Sequence, residues 1–225
     1  MLPSQFDDFS QSIIAVILFI SNILFWKQSG YFETAAEEKP FLHTWSLAVE
    51  EQYYVVFPIF IILFWRVGKN NLIYIIALIT VISFSLAEYA SRFHPNANFF
   101  LIPMRTWELL AGSLAAFPMN TKNIKCNKYL SLAGLLLIAF SIFSFDSSIR
   151  WPSVYSVVPI LGVILIILFT DKTSFTYKIL SAKMLVGTGL ISYSAYLWHQ
   201  PIFAFTRIKN VSEPSVGIML ALSVF

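Results

Sequence analysis

The chain has 225 residues, 57% of them hydrophobic, 17% aromatic and 12% charged, with mean hydropathy +0.72 and a formal net charge of +3. Soluble domains carry about a quarter charged residues and cannot hide this much apolar surface, so a cytosolic globular enzyme, a disordered chain and a secreted disulfide scaffold are excluded. The small net charge gives no footing for nucleic acid, and the single cysteine, Cys126, excludes an intrachain disulfide or a cysteine metal cluster. What fits is an all-α, polytopic helical membrane protein, because long apolar runs satisfy their backbone in lipid only as helices. A transmembrane barrel would show short alternating segments instead.

The N-terminus, MLPSQFDDFSQS, carries Asp7 and Asp8 in place of a basic region, and no signal peptide is read there. Up to eight apolar segments follow, over 12–26, 46–65, 72–90, 99–117, 129–145, 154–170, 184–206 and 215–225. The expected fold is therefore a bundle of seven or eight transmembrane segments. The first segment is short for a span, and the fourth contains Arg105 and Glu108. The last stops abruptly within an apolar run, which reads as a chain cut inside a helix. No internal repeat supports a transporter built from inverted repeats.

If every segment spans, one set of loops holds Arg66, Lys69, Lys122, Lys125, Lys128, Lys172, Lys178 and Lys183. The other holds Lys27, Lys39, Arg92, Arg150, Arg207 and Lys209, diluted by acidic residues. The positive-inside rule then places loops 66–71, 118–128 and 171–183 in the cytoplasm. A re-entrant 99–117 would invert the loops before it, so the side of the early loops stays open.

Ionisable groups within apolar segments are costly and mark cavities or partners. The richest stretch is PFLHTWSLAVEEQYYVVFP at 40–58. Pro40 suits a helix start. On a helix, His43, Ser46, Glu50 and Tyr53 or Tyr54 share one face, while Glu51 aligns with Thr44 and Leu47. A carboxylate placed this way can act as an acid–base group, and Glu50 is expected to outweigh Glu51. The alternative is that both glutamates merely favour the helix dipole. In FFLIPMRTWELLAGSLAAF at 99–117, Arg105, Glu108 and Gly112 line up. They suggest either a neutralising pair that fixes helix packing or a guanidinium for an anionic donor group. In ISYSAYLWHQPIF at 191–203, Ser192, Tyr196 and His199 form a polar stripe, and Pro201 is expected to weaken the helix. His199 is either a base or an interfacial anchor beside Trp198. No HExxH, phosphate loop or paired histidines with metal spacing is present, so no metal is expected.

These blocks carry a resemblance. The stretch SNILFWKQSGYFETAAEEKPFLHTWSLAVEEQYYVVFP at 21–58 resembles the signature of the bacterial membrane acyltransferases that O-acetylate surface polysaccharides, acyltransferase family three. RTWELLAGSLAAF at 105–117 and SYSAYLWHQP at 192–201 are similar to two further blocks of that family, in the expected order. The SGYF-to-HTWSL spacing is most similar to members with an added SGNH-type domain. The resemblance covers essentially the whole chain. It implies transfer of an acetyl group from acetyl-CoA to hydroxyls of a cell-surface polysaccharide such as lipopolysaccharide O-antigen, in a multi-pass protein of the bacterial inner membrane. Its partners would be membrane lipid, the polysaccharide acceptor and acetyl-CoA, with no nucleic acid and no metal. His43, Trp45, Ser46, Leu47, Glu50, Glu51, Gln52 and Tyr53 match the first block, with Arg105, Trp107, Glu108 and Gly112 in the second. Ser192, Tyr193, Leu197, Trp198, His199 and Pro201 match the third, where Gln200 replaces the usual aromatic. Catalytic roles are expected for His43, Ser46, Glu50, Glu51 and His199, and donor binding for Arg105, Trp107 and Glu108.

Two departures accompany the match. The family's first membrane helices carry a basic residue and then a histidine, followed by a cytoplasmic arginine-rich segment, and none of these has a counterpart in residues 1–225. The chain is therefore expected to be a partial membrane acyltransferase domain, truncated at both ends, that transfers no acyl group by itself. A polysaccharide or lipid-linked sugar transporter and a non-catalytic membrane remnant are the competing readings.

Overall fold

The computed structural model describes residues 3–29, 38–121, 124–146 and 148–209. Among them are ten α-helices and no strand. The chain divides into two units, residues 1–54 with 187–225, and residues 55–186. Among the described residues, two helices are long and apolar enough to cross a membrane, Thr44–Val67 (which includes a closing 3-10 turn) and Lys69–Phe93. The apolar stretches Lys128–Ser144 and Val154–Phe169 are shorter, below the roughly 20 residues of a perpendicular span. Ile62, Tyr74, Phe143 and Leu190 are 73%, 73%, 87% and 80% exposed. Large apolar side chains displayed so widely suit a lipid solvent.

In the first unit, α1 (Pro3–Ile17) and α2 (Ser21–Lys27) replace the single segment expected over 12–26. The chain breaks because Phe19 adopts a positive φ of 55°, a conformation that cannot continue a right-handed helix. Polar bonds hold the break: the Gln52 side-chain amide donates to the Phe19 carbonyl (2.5 Å) and to Asn22 Oδ1 (3.0 Å), and Ser21 Oγ donates to the Thr44 carbonyl (3.0 Å). Ser21 and Asn22 are 1% exposed, so their bonds to α3 (Thr44–Phe64) replace water. Phe9 stacks on Phe41 and meets Phe205 edge-on. Phe205 lies on α10 (Lys183–Lys209), which runs uninterrupted through Pro201. Pro201 removes one backbone bond there without ending the helix, and Pro58 and Pro118 also sit inside helices.

The second unit contains the rest of α3, a turn through Gly68 at φ 91°, and then α4 (Lys69–Phe93), α5 (Pro95–Phe100) and α6 (Ile102–Thr121). The fourth expected segment, 99–117, is thus split, because Leu101 is extended at φ −91°, ψ 139°. Ser83 meets Pro103 and Trp107, while Leu72 lines a cavity with Ser113 and Phe117. Early residues of one helix face late residues of the other, so α4 and α6 are antiparallel. Next come α7 (Lys128–Ser144), α8 (Val157–Phe169) and the short α9 (Phe175–Leu180), which lies in what reads as a loop. Asn127 N donates to the Phe169 carbonyl (3.1 Å), and Ser131 bonds Thr170 (2.8 Å). At their middles, Gly134 and Gly162 bring the two backbones together: a Cβ on Gly134 would stand 2.6 Å from the Gly162 carbonyl oxygen. So α7 and α8 are antiparallel too. The segment expected over 215–225 lies outside the described residues.

Candidate functional site

Polar side chains of the first unit converge where α3 begins. Pro40 does not open that helix. Residues 40–43 turn first, with Thr44 N donating to the Phe41 carbonyl and Trp45 N to that of Leu42. His43 therefore precedes the helix, and its carbonyl stays free for side chains. The Tyr196 hydroxyl donates to that carbonyl. Ser46 Oγ lies 2.7 Å from the same hydroxyl; because the tyrosine proton is already given to a carbonyl, Ser46 donates to Tyr196. The His43 ring meets Tyr196 at 5.1 Å and His199 at 5.3 Å between centroids.

His43 is 8% exposed, and among the described residues its Nδ1 has no hydrogen-bond partner. Burial, with the nearby His199 second, lowers its pKa from 6.5 to about 4, and the Pro40 backbone works weakly the other way. His43 is thus a neutral imidazole at physiological pH. His199 Nδ1 lies 2.5 Å from the Tyr196 carbonyl oxygen. A carbonyl only accepts, so Nδ1 is the donor in this contact, and Nε2 is the ring nitrogen left for a reacting group. Gln200, one residue on, ties the cluster to the loop before α3 by donating to the Lys39 carbonyl (3.2 Å).

The structure brings together His43, Ser46 and His199 of the expected catalytic set. Glu50 lies on the same unit, exposed, within electrostatic reach of the Tyr196 hydroxyl. Glu51, half-buried, makes no hydrogen bond or ion pair among the described residues. Tyr196 is the residue that sequence reasoning underrated. It was visible in the Ser192–Tyr196–His199 stripe, but its bridge reaches a carbonyl 153 positions away. Ser192 instead turns outward and bonds the Gly189 carbonyl of its own helix.

The second unit holds the expected donor-binding residues. Arg105 Nε and Glu108 Oε2 are 3.7 Å apart, with side chains 20% and 25% exposed. Arg105 also lies 5.8 Å above the Phe99 ring. Trp107 is buried edge-on against Phe84, and its backbone N–H donates to Ser83 Oγ (3.0 Å). Among the described residues its indole Nε1 has no hydrogen-bond partner. Glu108 and Gly112 line an apolar cavity of about 310 Å³ against Pro159, Ile160 and Ile164 of α8. The pair therefore stands beside open apolar space, and Trp107 serves the packing of α6 on α4.

A family model described as an acyltransferase domain matches residues 9–224. The chain belongs to this acyltransferase family. It is 29% identical over 221 residues to the peptidoglycan O-acetyltransferase OatA of Listeria monocytogenes, covering 90% of this chain and 35% of that protein. To the O-acetyltransferase OatA of Staphylococcus aureus it is 28% identical over 223 residues, 91% of this chain and 36% of that one. An uncharacterized protein of Haemophilus influenzae is 31% identical over 186 residues, 76% of this chain and 75% of its own length. The chain spans about a third of the length of the two O-acetyltransferases. No solved structure matches it.

Proposed function

We propose that residues 1–225 form part of a membrane O-acetyltransferase domain, a multi-pass protein of the bacterial inner membrane, that moves an acetyl group from acetyl-CoA to a hydroxyl of a cell-envelope polysaccharide. The seven or eight spanning segments belong to this proposal. The name of the Listeria monocytogenes relative favours peptidoglycan over O-antigen as the first acceptor to test.

The observation that carries the reading is the His199 tautomer. Nε2 of His199 takes the proton of the acceptor hydroxyl as its oxygen attacks the thioester carbonyl; the C–S bond then breaks, and the leaving thiolate recovers the proton. His43, neutral at physiological pH and buried against the His199 ring, supports the developing imidazolium without competing for the proton. Tyr196 and Ser46 hold the start of α3 against α10. Glu50 and Glu51 add negative charge near the cation that forms. Arg105 and Glu108, with Trp107 packed behind them, are assigned to the donor.

The complete domain that contains residues 1–225 is reconstituted into liposomes with radiolabelled acetyl-CoA and peptidoglycan, and label in the glycan is counted; residues 1–225 alone are expected to transfer none. Transfer that His199→Ala abolishes and Ser192→Ala leaves intact supports the reading. Transfer indifferent to His199→Ala removes it.

A further inference from the structure

Outside the His199 cluster, a hollow lined by polar and charged side chains lies in the second unit, at the C-terminal end of α4. Its volume is about 460 Å³, within the range of small-ligand pockets, and Glu88, Arg92, Arg150, Ser153, Val154 and Tyr155 line it. The wall is built, not loose. Fully buried Asn98 donates to the Pro152 carbonyl (2.7 Å), and Ser153 and Ser156 form a reciprocal cap. Glu88 is pinned from two sides, by Arg92 at 2.6 Å and by the Val154 N–H at 3.1 Å. Each of its oxygens keeps acceptor capacity. Arg150 is exposed and has no hydrogen-bond partner among the described residues. Tyr155 is 50% exposed, and its ring is backed edge-on by Phe145.

The position of this hollow follows from the packing of its unit. The antiparallel pairs α4–α6 and α7–α8 give the unit two ends, and the Glu88–Val154 bond joins the end of α4 to the approach to α8. The chain from Thr121 to Lys128 is too short, at about 3.5 Å per residue, to recross a bundle about 30 Å long. One end therefore collects Arg66, Lys69, Lys125, Lys128, Lys172, Lys178 and Lys183. The other has Arg92 and Arg150, with Glu88 and Asp146. By the positive-inside rule the hollow opens on the outer face.

We propose that this hollow binds an acidic sugar unit of a glycan at the outer membrane surface. A carboxylate meets Arg150 in fork geometry, with Arg92 adding charge; sugar hydroxyls donate to Glu88; and the Tyr155 ring packs against a sugar face. Two guanidinium groups stand against one carboxylate already engaged, so the hollow favours an anion. Choosing a glycan over other anions rests on the acyltransferase reading above. Binding is measured without donor, however, so loss of transfer and loss of binding are separate results.

The whole chain is placed in phosphatidylcholine nanodiscs and titrated calorimetrically with tetragalacturonate and with its carboxyl-reduced form. We expect the reduced sugar to bind about tenfold more weakly, the gap a charge-assisted Arg–carboxylate bond provides. Arg150→Gln lowers tetragalacturonate affinity by a similar factor and leaves the reduced sugar unchanged, while Tyr155→Ala weakens both. Equal binding of the two sugars, no binding, or full displacement by acetate at equal carboxylate concentration overturns the proposal. The comparison of the two sugars needs no variant, so it stands even if a substitution impairs folding.

Discussion

Nδ1 of His199 lies 2.5 Å from the backbone carbonyl oxygen of Tyr196, one turn earlier on the same helix. This contact fixes which ring nitrogen is free to act. It also links the imidazole to the residue whose hydroxyl bonds the His43 carbonyl. If Nε2 is the base, His199→Ala lowers the turnover of acetyl transfer about a hundredfold or more. Tyr196→Phe, which removes the bridge and leaves the base, lowers it less and reduces thermal stability by about 1 kcal/mol. Initial rates and melting temperatures of the two variants separate the roles; equal losses in both measurements would merge them.

Glu50→Gln is expected to cost more activity than Glu51→Gln. Glu50 lies within electrostatic reach of the Tyr196 hydroxyl and shares a helix face with Ser46, while Glu51 points about 100° away around the helix. Side-by-side transfer assays check this, and equal, mild losses would reject the assignment.

Arg105 and Glu108 are coupled through a largely desolvated contact of 3.7 Å. Removing Arg105 leaves the Glu108 charge in largely apolar surroundings, and removing Glu108 takes away the opposite charge nearest Arg105. Arg105→Met and Glu108→Met should each lower folded yield and activity more than the double variant does. The interaction energy from the cycle is expected to be about 0.5–3 kcal/mol. Simple additivity would show that the pair carries no mutual energy.

Gly134→Ala must force α7 and α8 apart, because the new Cβ would stand 2.6 Å from a backbone oxygen that cannot swing away. The expected loss is about 1–3 kcal/mol, read as a lower unfolding temperature in detergent. Gly112→Ala, with open space around the added carbon, is the control and should be near neutral.

The buried His43 sets a pH dependence. Its pKa falls from 6.5 to about 4 on folding, so between these values the unfolded chain binds the proton that the folded chain refuses. Stability is therefore full above pH 6.5 and falls as the pH drops toward 4, by up to about 1.4 kcal/mol per pH unit. His43→Phe should flatten that slope. An unchanged slope in the variant would show that other groups govern it.

The helices over 44–64, 69–93, 128–144, 157–169 and 183–209 follow the apolar runs read from the sequence to within a few residues. A long apolar segment has no other way to satisfy its backbone, so composition alone determined them. The family motifs were equally legible, because they are local strings of unusual polar residues in apolar surroundings. Tertiary structure decided what spacing does not encode. The helix expected over 12–26 breaks at Phe19, where Gln52 of another helix donates to the Phe19 carbonyl and to Asn22. Pro40 opens a turn instead of a helix, which frees the His43 carbonyl for a tyrosine 153 positions away. Arg150 joins Glu88 and Arg92 only because the approach to α8 folds onto the end of α4. Helix formation is a contest between a segment and its solvent, settled by nearby residues. A site is a meeting of segments, and its geometry exists only once the helices have packed.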